Sequence, residues 1–317
     1  MTVSARAYGS EFIIFINDLD SAAELASILR KFADDTKSGK VLEGPQSIIE
    51  LQQALDALVQ WADKWCMAFN IQKCKVMHVG RQNSRAEYRM GGVALASTEE
   101  RDIGVQITSN LKPAAQCAKA AKTGMTVLGQ ISRAFHYRDR HTFLRLYKQY
   151  VRPHLEFSSQ AWSPWHQKDI EILKKVQERA VKMIGGLKGT SYDDKLHELG
   201  LQSLSERRRE ADMLMVYKVI HGFCPVDQSG WFIMAGAAAR QHTRNAADPL
   251  RLSKPRANRD LRNNFFTVRV IDHWNVLPLA IRGAAPVSRF RTGYRQHMAP
   301  PSMVRGAGAD GTGSSRP

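Results

Sequence analysis

The chain has 317 residues, a net charge of +16 and a hydrophobic content of 43%, enough for two domains and a sizeable core, which excludes a globally disordered protein. No apolar run approaches the roughly eighteen residues of a membrane span, and Met1–Ser10 holds no long apolar signal core. Cys66, Cys74, Cys117 and Cys224 show no paired spacing, which argues against a disulfide framework or a cysteine zinc site and points to reduced, intracellular thiols.

The charge is unevenly distributed. Residues 1–100 hold 11 Lys/Arg against 13 Asp/Glu, residues 101–225 hold 21 against 12, and residues 226–317 hold 14 against 5. A near-neutral first part followed by a strongly basic remainder suits a polyanionic partner. An anionic membrane surface, or basic composition without function, is the alternative that composition alone leaves.

In chain order, residues 1–11 carry no readable signal, and Phe12–Leu19 is a short apolar run that fits a helix end or a strand. Ile28–Phe32 and Thr36–Val41 are expected as two short strands flanking Asp34 and Asp35. Neighbouring side chains of a strand point to opposite faces, so two adjacent aspartates share one task only where the chain turns sharply. Such a pair suits a hard divalent cation, which takes a few carboxylate oxygens and fills its remaining positions with water and phosphate. Pro45 opens a predicted helix in which Ser47-x-x-Glu50 matches a capping box. Ile48, Leu51, Leu55, Leu58 and Ala62 lie on one face of it, with Trp61 and Trp65 extending that face as core residues.

Met67–Gly80 reads as short apolar structure interrupted by Asn70–Lys73, with Lys75–Val79 alternating as a strand and His78 half-buried within it. Tyr88–Leu111 reads as β-rich, and Gly91-Gly92 suits a hairpin turn because glycine accepts positive φ. From Pro113 the period becomes helical. Phe143, Tyr147, Tyr150 and Val151 form one stripe; Leu173, Val176, Ala180 and Ile184 form another, on a helix whose polar positions include Lys174, Lys175, Arg179 and Lys182. Ser203-x-x-Glu206 is a second capping box, opening Arg207-Arg208-Arg209 and the stripe Met213, Val216, Ile220, with Gly222 as a stop. Residues 225–260 look linker-like, and the Gly/Ala/Pro/Ser-rich end after Met298 is expected to be disordered.

Lys31-Phe32-Ala33-Asp34-Asp35-Thr36 resembles the aromatic-Ala-Asp-Asp box of reverse transcriptases, in the form used by LINE-type (non-LTR) retrotransposons of the jockey-like group. Three further segments carry the resemblance in the same order: Ile16-Asn17-Asp18-Leu19, Trp61-Ala62-Asp63-Lys64-Trp65, and Phe69-Asn70-Ile71-Gln72-Lys73-Cys74-Lys75. Downstream, Val151–Glu156, Trp162-Ser163-Pro164, Arg179–Ile184 and Asn263–Pro278 are similar to the family's later segments. Tyr8-Gly9-Ser10-Glu11 stands where the family has a Pro-Gln-Gly loop, and the motif carrying an upstream catalytic aspartate has no counterpart, so the chain is expected to be the back part of a longer polymerase.

The resemblance implies an α+β fold: a truncated polymerase palm of short antiparallel strands with helix over 1–111 and a helical thumb-like domain over 112–224. A basic C-terminal segment would follow over 225–298 and a disordered tail over 299–317. It implies RNA-directed DNA polymerisation, with Asp34 and Asp35 binding Mg²⁺ or Mn²⁺ and acting as catalytic acids while Phe32 and Ala33 shape the turn. Lys73 and Lys75 are candidates for steadying the triphosphate or leaving pyrophosphate, each equally readable as a lysine of a solvated loop. Asp18 would be structural. Lys174, Lys175, Arg179 and Lys182 would contact nucleic-acid backbone. Partners would be an RNA template, a DNA primer, deoxynucleoside triphosphates and the missing N-terminal portion, with no membrane; the location would be intracellular, in cytoplasm and nucleus. The lost upstream ligand implies that the chain polymerises poorly, which leaves a non-catalytic nucleic-acid-binding remnant as the alternative; a phosphohydrolase or nuclease built on Asp34 and Asp35 lacks a supporting His/Asp cluster.

Overall fold

The structure, a computed structural model, describes residues 3–4, 16–22, 28–33, 35–95, 99–135, 139–185, 187, 189–238 and 248–299. The expectations for Phe12–Phe15, for Asp34 and for the tail from 300 onward lie outside the described residues. The fold is mixed α+β, with short antiparallel strand pairs and many helices. The chain divides into two compact units, 1–112 and 113–317.

In the first unit Val3–Ser4 (β1) pairs antiparallel with Ala68–Phe69 (β4), and a 3₁₀ turn at Ile16–Asp18 leads into Leu19–Ala22 (α1). Ile28–Phe32 (β2) and Asp35–Gly39 (β3) pair antiparallel from Ile28 opposite Gly39 to Phe32 opposite Asp35. Only Ala33 and Asp34 lie between the closing pair, and Ala33 has a φ of 51°, the left-handed geometry of tight hairpin turns. β3 therefore starts at Asp35 and ends at Gly39 rather than running over Thr36–Val41.

The helix Pro45–Lys64 (α2) begins with its proline in the first turn, where the missing N–H costs nothing. That start places Ser47 inside the helix, and its Oγ accepts from the Glu43 N–H at 3.2 Å while Glu50 pairs with Lys40 at 2.7 Å. The expected Ser47–Glu50 capping box is thus not formed; proline two residues earlier has moved the helix start. The apolar stripe does reach the core. Leu55, Leu58, Trp61 and Ala62 are buried, and they meet Ile16, Leu19, Phe69, Tyr88 and Met90. Trp65 departs from the expectation: it is exposed, with the Lys64 ammonium 5.6 Å from its ring.

Tyr88–Met90 (β5) and Val93–Leu95 (β6) form the expected hairpin around Gly91 and Gly92, both at positive φ. Glu99–Asp102 (β7) and Val105–Thr108 (β8) form another around Ile103 and Gly104, likewise both positive. Lys75–Val79 is not a strand; only Met77 makes an isolated bridge. His78 is half-buried and stacks on Tyr88 at 6.1 Å.

The second unit is mainly helical. Ala114–Ala134 (α3) packs against Gln167–Lys182 (α7) and against Arg152–Glu156 (α5). A β-carbon on Gly124 would sit 3.1 Å from Val176 Cγ1 and 3.2 Å from Leu155 Cδ2, so the missing side chain is what allows this close approach. Arg140–Leu146 (α4) runs into α5 through a π turn at Tyr147–Val151. The π turn changes the expected stripe. Phe143, Tyr147, Val151 and Leu155 are all buried at a uniform spacing of four, whereas Tyr150 is 57% exposed. Pro153 gives a reason for the wider turn, since it lacks the N–H that an unbroken α-helix would donate to residue 149.

Ser159–Trp162 (α6) and Tyr192–Glu198 (α8) precede Leu204–Ile220 (α9). Here the expected capping box is present: Ser203 Oγ accepts from the Glu206 N–H at 3.2 Å, and the Glu206 carboxylate accepts from the Ser203 N–H at 2.8 Å. Gly222, at φ 72°, follows the end of the helix as expected. The rest comprises Ile233–Met234 (β9), Ala235–Ala238 (α10), Leu252–Ser253 (β10), Asp260–Asn263 (α11), Phe266–Val276 (α12), Leu279–Arg282 (α13) and Val287–Met298 (α14).

Residues 225–260 do more than link. Phe232 and Leu252 are buried in one core with Met213, Val216 and Tyr217 of α9, Phe266, Ile271 and Trp274 of α12, and Phe290 of α14. Phe232 and Leu252 stand twenty residues apart in sequence, which hid this from a periodicity argument. Asn275 holds β10 from the side by accepting from the Leu252 N–H and donating to its carbonyl, both at 2.9 Å. Phe266, Val268 and Trp274 of α12 are buried.

Candidate metal site and nucleic-acid interface

The β2–β3 hairpin is anchored by a residue whose role the sequence did not signal. The Lys31 ammonium donates to the carbonyls of Ile16 at 2.9 Å and Asn17 at 3.1 Å and pairs with Asp20 at 3.0 Å. Its side chain is mostly covered while the Asp20 carboxylate is exposed, so the two carbonyls supply the fixed part of the anchor. On the opposite face Phe32 is exposed at the closing pair, consistent with a residue that borders a turn rather than filling a core. Asp35 is half-buried at the first position of β3. Thr36, next to it and facing the other way, is buried. Lys37, on the Asp35 face, pairs with Asp102 of β7.

Asp18 is occupied elsewhere. Its Oδ1 accepts from the Trp61 indole N–H at 3.0 Å, joining the Ile16–Asp18 turn to α2. Two acids next to the hairpin are therefore engaged by the fold: Asp18 by Trp61 and Asp20 by Lys31. Among the described residues no group of three or more His, Cys, Asp or Glu side chains is placed to hold a metal ion. Mg²⁺ is content with one or two carboxylates and keeps several waters, a smaller demand than a cluster of three acids. The described residues do not fit a three-carboxylate, two-metal site.

Lys73 ends the 3₁₀ turn Ile71–Lys73 and Lys75 follows it. Both are exposed, and neither ammonium has an ion-pair partner among the described residues. Nothing in the hydrogen bonding brings them to Asp35. Tyr88, in the same unit, is buried, and that burial pushes its phenol above the usual range.

The second unit sorts the basic candidates by their partners. Leu173, Val176, Ala180 and Val181 bury one face of α7. Lys168, Ile172, Lys175, Arg179 and Lys182, at steps of four, three, four and three, form its exposed face. Lys168 belongs to this row although the candidate set omitted it; its spacing from Lys175 was the available signal. Lys174 does not belong: its ammonium lies 5.0 Å from the Tyr192 ring and 3.7 Å from Glu178. Tyr192 donates to Gln177 at 2.8 Å, and burial, with Glu178, Asp193 and Glu206 adding to it, pushes its phenol well above its ordinary value.

The basic opening of α9 is largely spent on the fold. Arg207 grips Glu156 with Nε and Nη2, and donating to the Glu156 carboxylate holds its guanidinium above the ordinary value. Arg208 is buried, and burial lowers its pKa without neutralising a guanidinium. Comparison with protein-family models, with curated proteins and with solved structures finds no match to this chain.

Proposed function

We propose that the chain carries the metal-box hairpin and a basic helical, thumb-like part of an RNA-directed DNA polymerase of the non-LTR retrotransposon type. The observation that carries this is the Phe32–Asp35 pair. It leaves Ala33 and Asp34 between the closing residues, so that Asp35, the second aspartate of an aromatic-Ala-Asp-Asp box, opens β3 beside the hairpin turn. Asp34 and Asp35 would hold Mg²⁺ or Mn²⁺, which supplies charge stabilisation for phosphoryl oxygens when bound. Lys73 or Lys75 would face the triphosphate, and Lys168, Lys175, Arg179 and Lys182 would meet template–primer phosphates. Deoxynucleoside triphosphates are the substrate class, and the site of action is intracellular.

Primer extension on an RNA template with Mg²⁺, wild type against Asp34→Ala, tests the assignment. Extension that disappears in the variant supports it; extension that survives sinks the metal role. A non-catalytic nucleic-acid-binding role is favoured by one specific observation, the engagement of Asp18 and Asp20 by Trp61 and Lys31. Under that role neither protein extends a primer, while both bind template–primer with a steep salt dependence.

A further inference from the structure

In the second unit a cavity of about 600 Å³ is bounded by α6, the stretch before β9, α11 and the start of α12. Its size lies in the range of small-molecule sites. Trp231 stands edge-on to Phe266, with ring centroids 5.9 Å apart at 74°. Phe265 is 53% and Trp231 39% exposed, so two large rings on its wall remain open to solvent, an exposure associated with binding surfaces.

The charges on this wall differ in availability. Arg269 lies over Phe266 but is held by Asp212 at 3.0 Å. Arg262 lies 5.4 Å from the Phe265 ring and has no carboxylate partner among the described residues. Gln160, Ser253 and Thr267 add an amide and two hydroxyls to the lining, with no side-chain hydrogen bond among the described residues.

We propose that this cavity seats one nucleotide, its base stacked on Phe265 and Trp231 and its phosphate on Arg262. Stacking rings beside an unpaired guanidinium fit a planar aromatic anion, and the free amide and hydroxyls offer hydrogen bonds to base edges. An aliphatic ligand would use none of the three polar groups. The net excess of nine basic residues over 226–317 selects the anion further. This rests on the nucleic-acid-binding part of the proposed function and adds a single-strand site to it, apart from the backbone contacts of α7.

The test is fluorescence anisotropy of the full chain with labelled oligo(rA), an abasic strand of equal length, and template–primer duplex. Phe265→Ala and Arg262→Gln are each expected to weaken oligo(rA) binding roughly ten-fold while changing duplex affinity less than two-fold. Phe265 is half exposed, so its removal should leave thermal unfolding unchanged, which is checked alongside. Adenosine monophosphate that competes at millimolar concentration identifies a free nucleotide as the ligand; oligo(rA) binding without such competition identifies the strand. Equal binding of the abasic strand, or oligo(rA) affinity unaltered in both variants, overturns the proposal. Loss of duplex binding alone, with oligo(rA) binding retained, counts against the proposed function and leaves this site standing.

Discussion

Asp18 separates a structural acid from a catalytic one by its hydrogen bond. Asp18 is itself exposed, and its carboxylate receives the Trp61 indole N–H at the edge of a core that contains Ile16, Leu19 and Trp61. Asp18→Asn keeps a carbonyl acceptor, so it should change unfolding in urea by less than about 1 kcal/mol and leave any Mg²⁺-dependent extension intact. Asp18→Ala leaves the indole without its partner and should cost about 1–2 kcal/mol. A selective loss of extension in Asp18→Asn with unchanged stability would make Asp18 a metal ligand and reverse its assignment. Sequence showed the acid and its neighbourhood, yet the distinction rests on Trp61, 43 residues away.

The two capping patterns show how an element can be legible in one place and misleading in another. Ser203 and Glu206 close a reciprocal box on α9, and Ser203→Ala should destabilise the protein by about 1 kcal/mol. Ser47 and Glu50 match the same pattern but lie within α2, because Pro45 has already begun the helix. Ser47→Ala should therefore lose less than the Ser203 variant in the same denaturant titration. Helix packing supplies a firmer test at Gly124. Gly124→Val would place extra carbon against Val176 and Leu155, and overpacking costs typically about 1–3 kcal/mol. Thermal unfolding should register that loss, and a Gly124→Val protein as stable as wild type would mean α3 and α7 are not in close contact. The π turn was not readable from the stripe itself, since Tyr150 matched the α-helical period; Pro153, by removing a donor, shifted the winding instead.

Several basic side chains of the second unit are committed to acids within the fold. Glu210 of α9 is buried and accepts from Arg295 at 2.7 and 3.0 Å, with Arg291 at 3.3 Å, both on α14. Burial raises its carboxyl, but Arg295, Gln202 and Arg291 outweigh that and hold it below the ordinary value. Its folded-state pKa is therefore depressed, so its stabilisation is complete above the unfolded value, about 4.3, and is lost as pH falls through the lower folded one. Asp212 works in the opposite sense: burial raises its pKa despite Arg269. Comparison of wild type with Glu210→Gln isolates the Glu210 contribution. The variant should be less stable at pH 7 by on the order of 2 kcal/mol, a modest figure because both arginines are half exposed, and the gap should narrow below about pH 4.

Nucleic-acid binding should report the charges left over. Replacing Lys175, Arg179 and Lys182 with glutamine should flatten the slope of log affinity against log salt by about 2 to 3. Replacing Lys174, already committed to Glu178 and Tyr192, should change it by less than one. An unchanged slope in the triple variant would remove α7 as the phosphate-binding face.

Hairpins and helix faces were readable from the chain because their causes are local. Gly91-Gly92 allows a two-residue turn by its positive φ, and the 3.6-residue period brings Leu173, Val176 and Ala180 to one face. The packing of Phe232 and Leu252 with α9, and the division of arginines into paired and available, had no local cause. Arg207 meets Glu156 across 51 residues, Arg269 meets Asp212 across 57, and Arg295 meets Glu210 across 85. An ion pair depends on distance in space, and no sequence period encodes it; folding alone brought these charges together and left Lys175, Arg179, Lys182 and Arg262 without carboxylate partners among the described residues.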